Sequence, residues 1–201
     1  MTGDNHLYFH EALAYGAGHS SVAGIDEAGR GPLAGPVVAS AVVFPQDYRN
    51  EAIRDSKQLT ARRREDLYSV IFNDALSVGL GVVEASVIDE INILQASLYA
   101  MKRAVLDLVV PPDFMLIDGR DPIDLDIPQQ AIIKGDTLSV SIAAASIIAK
   151  VTRDHLMDRY HIQYSQYNFR KNKGYPTKEH REAIHSYGLC KIHRRSFSCK
   201  A

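Results

Sequence analysis

The feature that most constrains the fold is a pair of apolar runs joined by a glycine-rich turn. Residues 22–26 and 36–44 are apolar enough to form buried strands, and residues 28–32 between them read Ala-Gly-Arg-Gly-Pro. Glycine has no side chain, so the backbone of this turn can come close to another molecule. The pattern predicts two buried strands whose connecting turn is suited to contact a ligand.

The rest of the chain alternates between strand-like and helix-like segments. Asn92 with Gln95 resembles a capping box, and apolar residues follow it at steps of three and four. Thr60 and Thr177 are suitable N-caps for two other helices. The alternation predicts an α/β fold with helices packed on a sheet. Further strands are predicted at 80–84, 114–117 and 131–133, and helices at 60–72, 92–108, 139–160 and 177–187.

Length and composition favour one catalytic domain. A chain of 201 residues that is 46% apolar can bury a single core, and no linker or repeat divides it. We expect an N-terminal extension over residues 1–20 and one domain over residues 21–201. No window approaches about eighteen apolar residues, and no secretory leader is evident, so a cytoplasmic protein without membrane contact is expected. Cys190 and Cys199 have no partners at zinc spacing, which predicts reduced thiols.

The charge of the chain is unevenly distributed. Residues 168–201 carry nine Lys or Arg and two Glu, a net charge of +7, whereas residues 1–167 carry fourteen basic and twenty-two acidic residues, a net charge of −8. A basic segment beside an acidic body is typical of a protein that binds phosphates with one part and divalent cations with the other. A solvated basic tail would have the same composition.

Four acids stand at the ends of predicted strands, where they can converge: Asp26 closes one strand and Glu27 follows it, Asp118 closes another, and Asp136 ends a third. Successive strand residues face opposite sides, so Asp26 and Glu27 can share a site only if the backbone leaves the regular pleat. Clustered carboxylates repel one another unless a cation neutralises them, and Mg²⁺ prefers oxygen ligands. The set therefore indicates a two-ion phosphoryl-transfer site, although each acid alone also fits a turn or a helix cap.

The stretch GIDEAGRGPLAGPV at residues 24–37 resembles the opening signature of the ribonuclease HII family, the type 2 ribonucleases H. Together the matching segments cover about residues 22–197. The resemblance implies a ribonuclease H-like fold, with a central mixed β-sheet flanked by helices and a basic, helical C-terminal part. The match continues in order through DSK at 55–57, IDG at 117–119, KGD at 134–136, SIAAASIIAKVTRD at 141–154, GYPTKEH at 174–180 and HRRSF at 193–197.

The resemblance also assigns roles to individual residues. It implies that the four acids are catalytic and bind two divalent ions, Mg²⁺ or Mn²⁺. The backbone of Gly29, Arg30 and Gly31 would contact the 2′-hydroxyl on the 5′ side of the cut, with Arg30 beside a phosphate. Tyr175 would stack on the sugar after the scissile phosphate and prefer deoxyribose there. Further phosphate contacts are expected from Lys57, Arg194 and Arg195, and Asp154 is interpreted as an ion-pair partner of Lys150.

The implied activity is a metal-dependent endonuclease that hydrolyses the RNA strand of RNA/DNA hybrids. It would also cut 5′ of ribonucleotides embedded in duplex DNA, leaving 3′-hydroxyl and 5′-phosphate ends, during replication and repair. A monomer is expected, and sliding-clamp contact is doubtful because the chain ends at Ala201, shortly after Phe197.

Three other functions are compatible with parts of this sequence pattern. A junction resolvase or recombination nuclease of the same fold would not need the glycine-arginine-glycine turn with Tyr175. A catalytically silent hybrid-binding module would not need all four acids. A phosphate-loop nucleotidase would need Gly-Lys-Ser/Thr after the turn, and the chain does not have that sequence.

Overall fold

A five-stranded mixed sheet forms the centre of this computed structural model, which describes residues 7–53 and 59–197. Its order is β3-β2-β1-β4-β5. β2 pairs antiparallel with β1 and β3, whereas β4 pairs parallel with β1 and β5. The predicted central mixed sheet is therefore confirmed. The strands are β1 (Val22–Ala28), β2 (Val37–Val43), β3 (Ser77–Val83), β4 (Phe114–Asp118) and β5 (Gln129–Ile132).

Helices cover both faces of this sheet. The longest two pack on opposite faces, α3 against β1, β2 and β3 and α4 against β1 and β2. α2 packs against α4 and shares its hydrophobic cluster. The helices of the described part are α1 (Phe9–Gly16), α2 (Ala61–Asp74), α3 (Ala85–Leu106), α4 (Val140–Gln163), α5 (Phe169–Asn172) and α6 (Lys178–Tyr187). None of these helices combines the length and the hydrophobicity that a membrane span requires.

Two strand glycines let these helices approach the sheet closely. A Cβ on Gly24 of β1 would overlap the backbone of Ser141 in α4, and a Cβ on Gly81 of β3 would overlap the carbonyl of Ala100 in α3. Any side chain at either position would push a helix away from the sheet. The close seating of α4 matters for function, because α4 contributes side chains to the cleft described below.

The predicted helix caps are present. Thr60 and Thr177 accept hydrogen bonds from amides three residues later, each at 3.2 Å. Asn92 has a positive φ of 66°, and its side chain accepts from the amides of Leu94 and Gln95. The prediction that a helix starts at Asn92 was incomplete, because a short helical segment from Ala85 precedes this kink and runs into it.

The N-terminal extension contributes α1, which is fastened to the N-terminus of α4. Glu11 is buried, and its Oε1 accepts from the Ser139 hydroxyl at 2.6 Å and from the Ser141 amide at 3.0 Å. A carboxylate is stabilised there by the unpaired amides and the positive end of the helix dipole. The extension is thus joined to the helix that borders the cleft.

The C-terminal part is helical and has its own small core. Tyr167 and Phe169 stack with their ring centroids 5.3 Å apart, and Met157 of α4 packs beside them. Ala34, from the connection between β1 and β2, belongs to the same cluster. The C-terminal part therefore packs directly against the segment that follows the glycine-rich turn.

Candidate active site

A cleft of about 330 Å³ opens where β1 and β4 end. It brings together three of the predicted acids, the glycine-rich turn and the predicted sugar-stacking tyrosine. Three further polar residues on α2 and α4 complete its wall. The residues lining it are Asp26, Glu27, Ala28, Gly29, Arg30, Gly31, Arg64, Asp118, Ser146, Lys150 and Tyr175.

Asp26 is the most deeply placed acid of the cleft. It is 5% exposed, and its Oδ1 accepts from the amide of Glu27 at 2.7 Å. Ser146 of α4 also hydrogen-bonds to its carboxylate. Burial raises the pKa of Asp26 well above its ordinary value, and the negative charges of Glu27 and Asp118 raise it further. A cation placed here would relieve both effects.

Glu27 borders the same cleft without a break in the strand. The pairing of β1 with β2 stays regular through Glu27 and Ala28, so the expected departure from the pleat was wrong. The cleft lies at the end of the sheet, so adjacent residues whose side chains point to opposite faces of β1 can both border it. Oε1 of Glu27 accepts from Arg30 at 3.2 Å, and Oε2 is buried without a partner among the described residues. Burial raises the pKa of Glu27, while Arg30 opposes this rise.

Asp118 ends β4 and is tied to the turn that carries Asp136. The amide of Gly135 donates to Oδ1 of Asp118 at 2.7 Å. Asp136 lies in the 3-10 turn Gly135–Thr137, four residues beyond the end of β5, because Lys134 has a positive φ of 59° and redirects the chain. The expectation that Asp136 closes a strand was therefore wrong. Asp136 is 2% exposed and is not among the residues that line the cleft.

The glycine-rich turn and Tyr175 face each other across the mouth of the cleft. A Cβ on Gly31 would lie 3.7 Å from the Tyr175 ring, and the amide of Leu33 donates to the carbonyl of Gly174 at 2.8 Å. Tyr175 is 42% exposed, so its ring is available to a ligand. Gly29 has a φ of +102°, and a Cβ there would overlap the side chain of Arg153. Only glycine therefore fits at that position.

The three residues predicted to contact phosphates differ in where the structure places them. Arg194 is 2% exposed and donates to the carbonyls of Gly29, Arg30 and Gly35, so the expected phosphate contact was wrong and the guanidinium supports the turn instead. Arg195 is exposed, although it does not line the cleft. The segment DSK at 55–57, with Lys57, lies outside the described residues.

Residues that the sequence reasoning did not single out complete the wall. Ser146 and Lys150 are one turn apart on α4, and Arg64 comes from α2. Lys150 pairs with Asp154 at 2.7 Å, as predicted. The signal for the α4 residues was their spacing of four within the family-like run at 141–154, which places them on one helix face.

The donor chemistry of these acids fits a hard divalent ion. All the donors are carboxylate oxygens, and the buried, unpartnered Oε2 of Glu27 is an atom that a cation would satisfy. As they stand, no three His, Cys, Asp or Glu side chains within residues 7–53 and 59–197 are gathered closely enough to hold an ion. One oxygen of Asp26 and one of Asp118 accept from backbone amides, and one oxygen of Glu27 accepts from Arg30.

The sheet order, the flanking helices and the acids gathered at the ends of β1 and β4 define a ribonuclease H-like hydrolase. The same fold is seen in the ribonuclease H2 from Pyrococcus horikoshii OT3, with a TM-score of 0.75 and 29% identity over 89% of this chain and 94% of that chain. The family model of Ribonuclease HII matches residues 23–200, and the chain belongs to the ribonuclease HII family.

Two further comparisons agree with this assignment. A Ribonuclease HII from Syntrophus aciditrophicus (strain SB) is 60% identical over all of this chain and 93% of its own length. A structure of a PCNA:RNase HII complex from Archaeoglobus fulgidus matches with a TM-score of 0.74 and 25% identity, over 90% of this chain and 96% of that chain. The protein is accordingly a ribonuclease H, a hydrolase that acts as a metal-dependent endonuclease on RNA/DNA.

Proposed function

We propose that the cleft cuts the RNA strand of RNA/DNA hybrids and also cuts 5′ of single ribonucleotides embedded in duplex DNA. The products carry 3′-hydroxyl and 5′-phosphate ends, and the cellular role is removal of ribonucleotides during replication and repair. One observation carries the proposal: the turn Gly29–Gly31 and Tyr175 border the same cleft as Asp26, Glu27 and Asp118. A ribose recognised by the turn is thus held beside the acids.

The turn is suited to recognise a 2′-hydroxyl. Arg194 holds the carbonyls of Gly29 and Arg30, which fixes the orientation of these peptide groups. Among the described residues, the amides of Arg30 and Gly31 donate to no protein acceptor, so they can donate to a ligand oxygen. The 2′-hydroxyl accepts such bonds, and it is the group that distinguishes RNA from DNA.

The Tyr175 ring would then recognise the sugar on the 3′ side of that ribose, one nucleotide further from a cut on its 5′ side than the resemblance implies. Its exposed ring lies beside Gly31, where an added Cβ would be 3.7 Å from it. A deoxyribose lacks the 2′-oxygen and can lie flat against an aromatic ring. Together the two elements select a ribonucleotide followed by a deoxyribonucleotide, which is an RNA-to-DNA junction.

We assign the four acids, Asp26, Glu27, Asp118 and Asp136, as the ligands of two Mg²⁺ or Mn²⁺ ions. When bound, such ions supply Lewis acidity and a water of lowered pKa. Lys150 and Arg64 add positive charge to the wall of the cleft, where they would hold the scissile strand's phosphates. Arg30, Lys57 and Arg195 stay candidates for contacts further along the backbone.

The proposed enzyme is a cytoplasmic monomer whose partners are RNA/DNA hybrids and ribonucleotide-containing duplexes. The complex with PCNA is formed by the RNase HII from Archaeoglobus fulgidus, and we do not extend it to this chain. Sliding-clamp binding is not included in the function proposed for this chain.

The test is cleavage of three end-labelled duplexes: DNA with one ribonucleotide, a continuous RNA/DNA hybrid, and all-DNA. Each is incubated with Mg²⁺, with Mn²⁺ or with chelator. We expect metal-dependent cutting of the first two, on the 5′ side of the single ribonucleotide, with ends that ligase can reseal. Cutting of all-DNA duplexes would instead indicate a resolvase, and binding without cutting would indicate a silent hybrid-binding module.

A further inference from the structure

A pair of buried histidines lies behind Tyr175, outside the cleft. His180 of α6 is fully buried and His193 is 2% exposed, and their Nε2 atoms are 3.1 Å apart. Neither histidine lines the cleft, and the roles proposed above for the turn, Tyr175 and the acids do not involve them. Both belong to sequence segments that match the family signature, at 174–180 and 193–197.

The neighbours of the pair fix its hydrogen-bond direction. The amide of Cys190 donates to Nδ1 of His193 at 2.9 Å, so this nitrogen accepts and the proton of a neutral His193 is on Nε2. Nδ1 of His180 lies 2.9 Å from the carbonyl of Tyr175, which can only accept, so this nitrogen carries the proton of His180. Nε2 of His180 then accepts from His193. The Cys190 amide thus donates to His193, His193 donates to His180, and His180 donates to the Tyr175 carbonyl. We call this chain of hydrogen bonds the histidine relay.

Both histidines are neutral in this arrangement. A second proton on either ring would place two N–H groups against each other, either between the rings or against the amide of Cys190. Burial lowers the pKa of His180, and burial together with the neighbouring His180 lowers the pKa of His193 to about 4. The relay is therefore fully hydrogen-bonded at neutral pH.

The relay connects the two halves of the proposed substrate site. At one end His193 pairs with Ala34 in a β-bridge, just after the glycine-rich turn, and the next residue is Arg194, which holds the carbonyls of Gly29 and Arg30. At the other end His180 holds the carbonyl of Tyr175. The two rings, with centroids 5.2 Å apart and planes tilted by 37°, therefore join the turn to the Tyr175 loop, in addition to the hydrogen bond from the Leu33 amide to the Gly174 carbonyl.

We infer that His180 and His193 are positioning residues that set the spacing between the Gly29–Gly31 turn and Tyr175, and thereby the preference for an RNA-to-DNA junction. The inference rests on the proposed function. The histidines act through the backbone of Tyr175 and do not touch the substrate.

Other hydrogen bonds also hold the Tyr175 loop in its conformation. The Tyr175 amide donates to the carbonyl of Asn172, and its carbonyl also accepts from the amide of Thr177, each at 2.8 Å. Loss of the His180 bond is therefore expected to shift the loop and not to unfold it. A shift of this kind alters the stacking of Tyr175 while leaving the acids in place.

The test compares two amide variants of one position. In His180→Asn the side-chain nitrogen can replace Nδ1 and keep the bond to Tyr175, whereas in His180→Gln the amide reaches the Nε2 position and that bond is lost. The readout is the junction preference, which is kcat/KM for a duplex with one ribonucleotide followed by DNA, divided by kcat/KM for a continuous hybrid. We expect His180→Gln, in which the side chain no longer holds the Tyr175 carbonyl, to lower this ratio about fivefold, a coupling of ordinary size for contacting residues. His180→Asn keeps the bond to Tyr175 and loses only the bond to His193, so it should lower the ratio less.

A double variant separates positioning from general destabilisation. Tyr175→Ala should lower the ratio by itself, and His180→Gln should have no further effect on the ratio in that background. Equal ratios in the Asn and Gln variants, or a Gln effect that persists without Tyr175, would overturn the inference while leaving the proposed function intact. If the wild type does not cut 5′ of a ribonucleotide, or if Tyr175→Ala leaves the ratio unchanged, the proposed junction recognition fails and this inference fails with it.

Discussion

The amide of Gly135 donates a 2.7 Å hydrogen bond to Oδ1 of Asp118, so the turn that carries Asp136 is fastened to the end of β4. Asp118 and Asp136 are eighteen positions apart, yet one hydrogen bond fixes the backbone of the second relative to the side chain of the first. An added side chain would crowd this turn, because a Cβ at Gly135 would come within 2.6 Å of Cδ1 of the buried Ile142 and 3.4 Å from Oδ1 of Asp118.

Gly135→Ala should therefore reduce activity. The added methyl would force the turn away from Ile142 and displace Asp136 from Asp118. We expect kcat to fall by about tenfold or more, and stability to fall by about 1–3 kcal/mol, as is usual for overpacking. Steady-state kinetics and urea unfolding measure the two effects. Gly16→Ala is the control, since nothing lies within 4 Å of its new methyl group, and both values should stay near wild type.

Replacement of Arg194 should affect folding stability more than DNA binding. Its guanidinium satisfies three buried carbonyls, and a lysine cannot donate to all three in the same plane. Arg194→Lys should lower the free energy of unfolding by about 3 kcal/mol, whereas Arg195→Lys, at an exposed position, should change it by less than about 0.5 kcal/mol. Urea unfolding of the two variants decides the matter, and equal stabilities would contradict the role given to Arg194.

The N-terminal extension should stabilise the domain through Glu11. Glu11→Ala removes the carboxylate that accepts from Ser139 and Ser141 at the start of α4, and about 2 kcal/mol of stability should be lost. Glu182→Ala on the exposed face of α6 is the matched control and should be nearly neutral. If thermal unfolding shows the same melting temperature for both variants, the extension does not hold α4.

Acidification should destabilise the protein through the histidine relay. The folded-state pKa of His193 is about 4, below its ordinary value of 6.5, so the folded protein binds fewer protons than the unfolded chain. The stabilisation is therefore complete above pH 6.5 and is lost as the pH falls toward 4. The melting temperature of wild type should drop more over this interval than that of His193→Gln, which cannot titrate there. Parallel pH profiles for the two proteins would contradict the assignment.

The elements that local patterns specify were predictable from the sequence. Thr60 and Thr177 indicate where their helices begin, because capping depends on a side chain and an amide three residues away. The strand boundaries near Asp26 and Asp118 were visible because apolar runs end there. Positions fixed by tertiary contacts were not predictable. Arg194 looks like a phosphate ligand in sequence, and only the fold shows that three carbonyls surround it.

In the candidate site, too, local features were predictable from the sequence and tertiary contacts were not. Asp26 and Glu27 were identified correctly as neighbours of one cleft, but the reason given for it, a distorted strand, was wrong, since the pleat is regular and the cleft lies at the end of the sheet. The pairing of His180 with His193 spans two segments whose relative position the sequence does not encode locally. Distances of this kind come only from packing.

The most direct test of the account is single-turnover cleavage of a DNA duplex that contains one ribonucleotide, comparing Asp118→Asn with Asp121→Asn. Asp118 lines the cleft, whereas Asp121 is an exposed acid three residues further along the chain. We predict that Asp118→Asn loses more than about 100-fold in rate with unchanged folding, because an amide is a poorer ligand for a divalent ion, and that Asp121→Asn cuts like wild type. Equal rates for wild type and Asp118→Asn would contradict the assignment of this cleft as the active site.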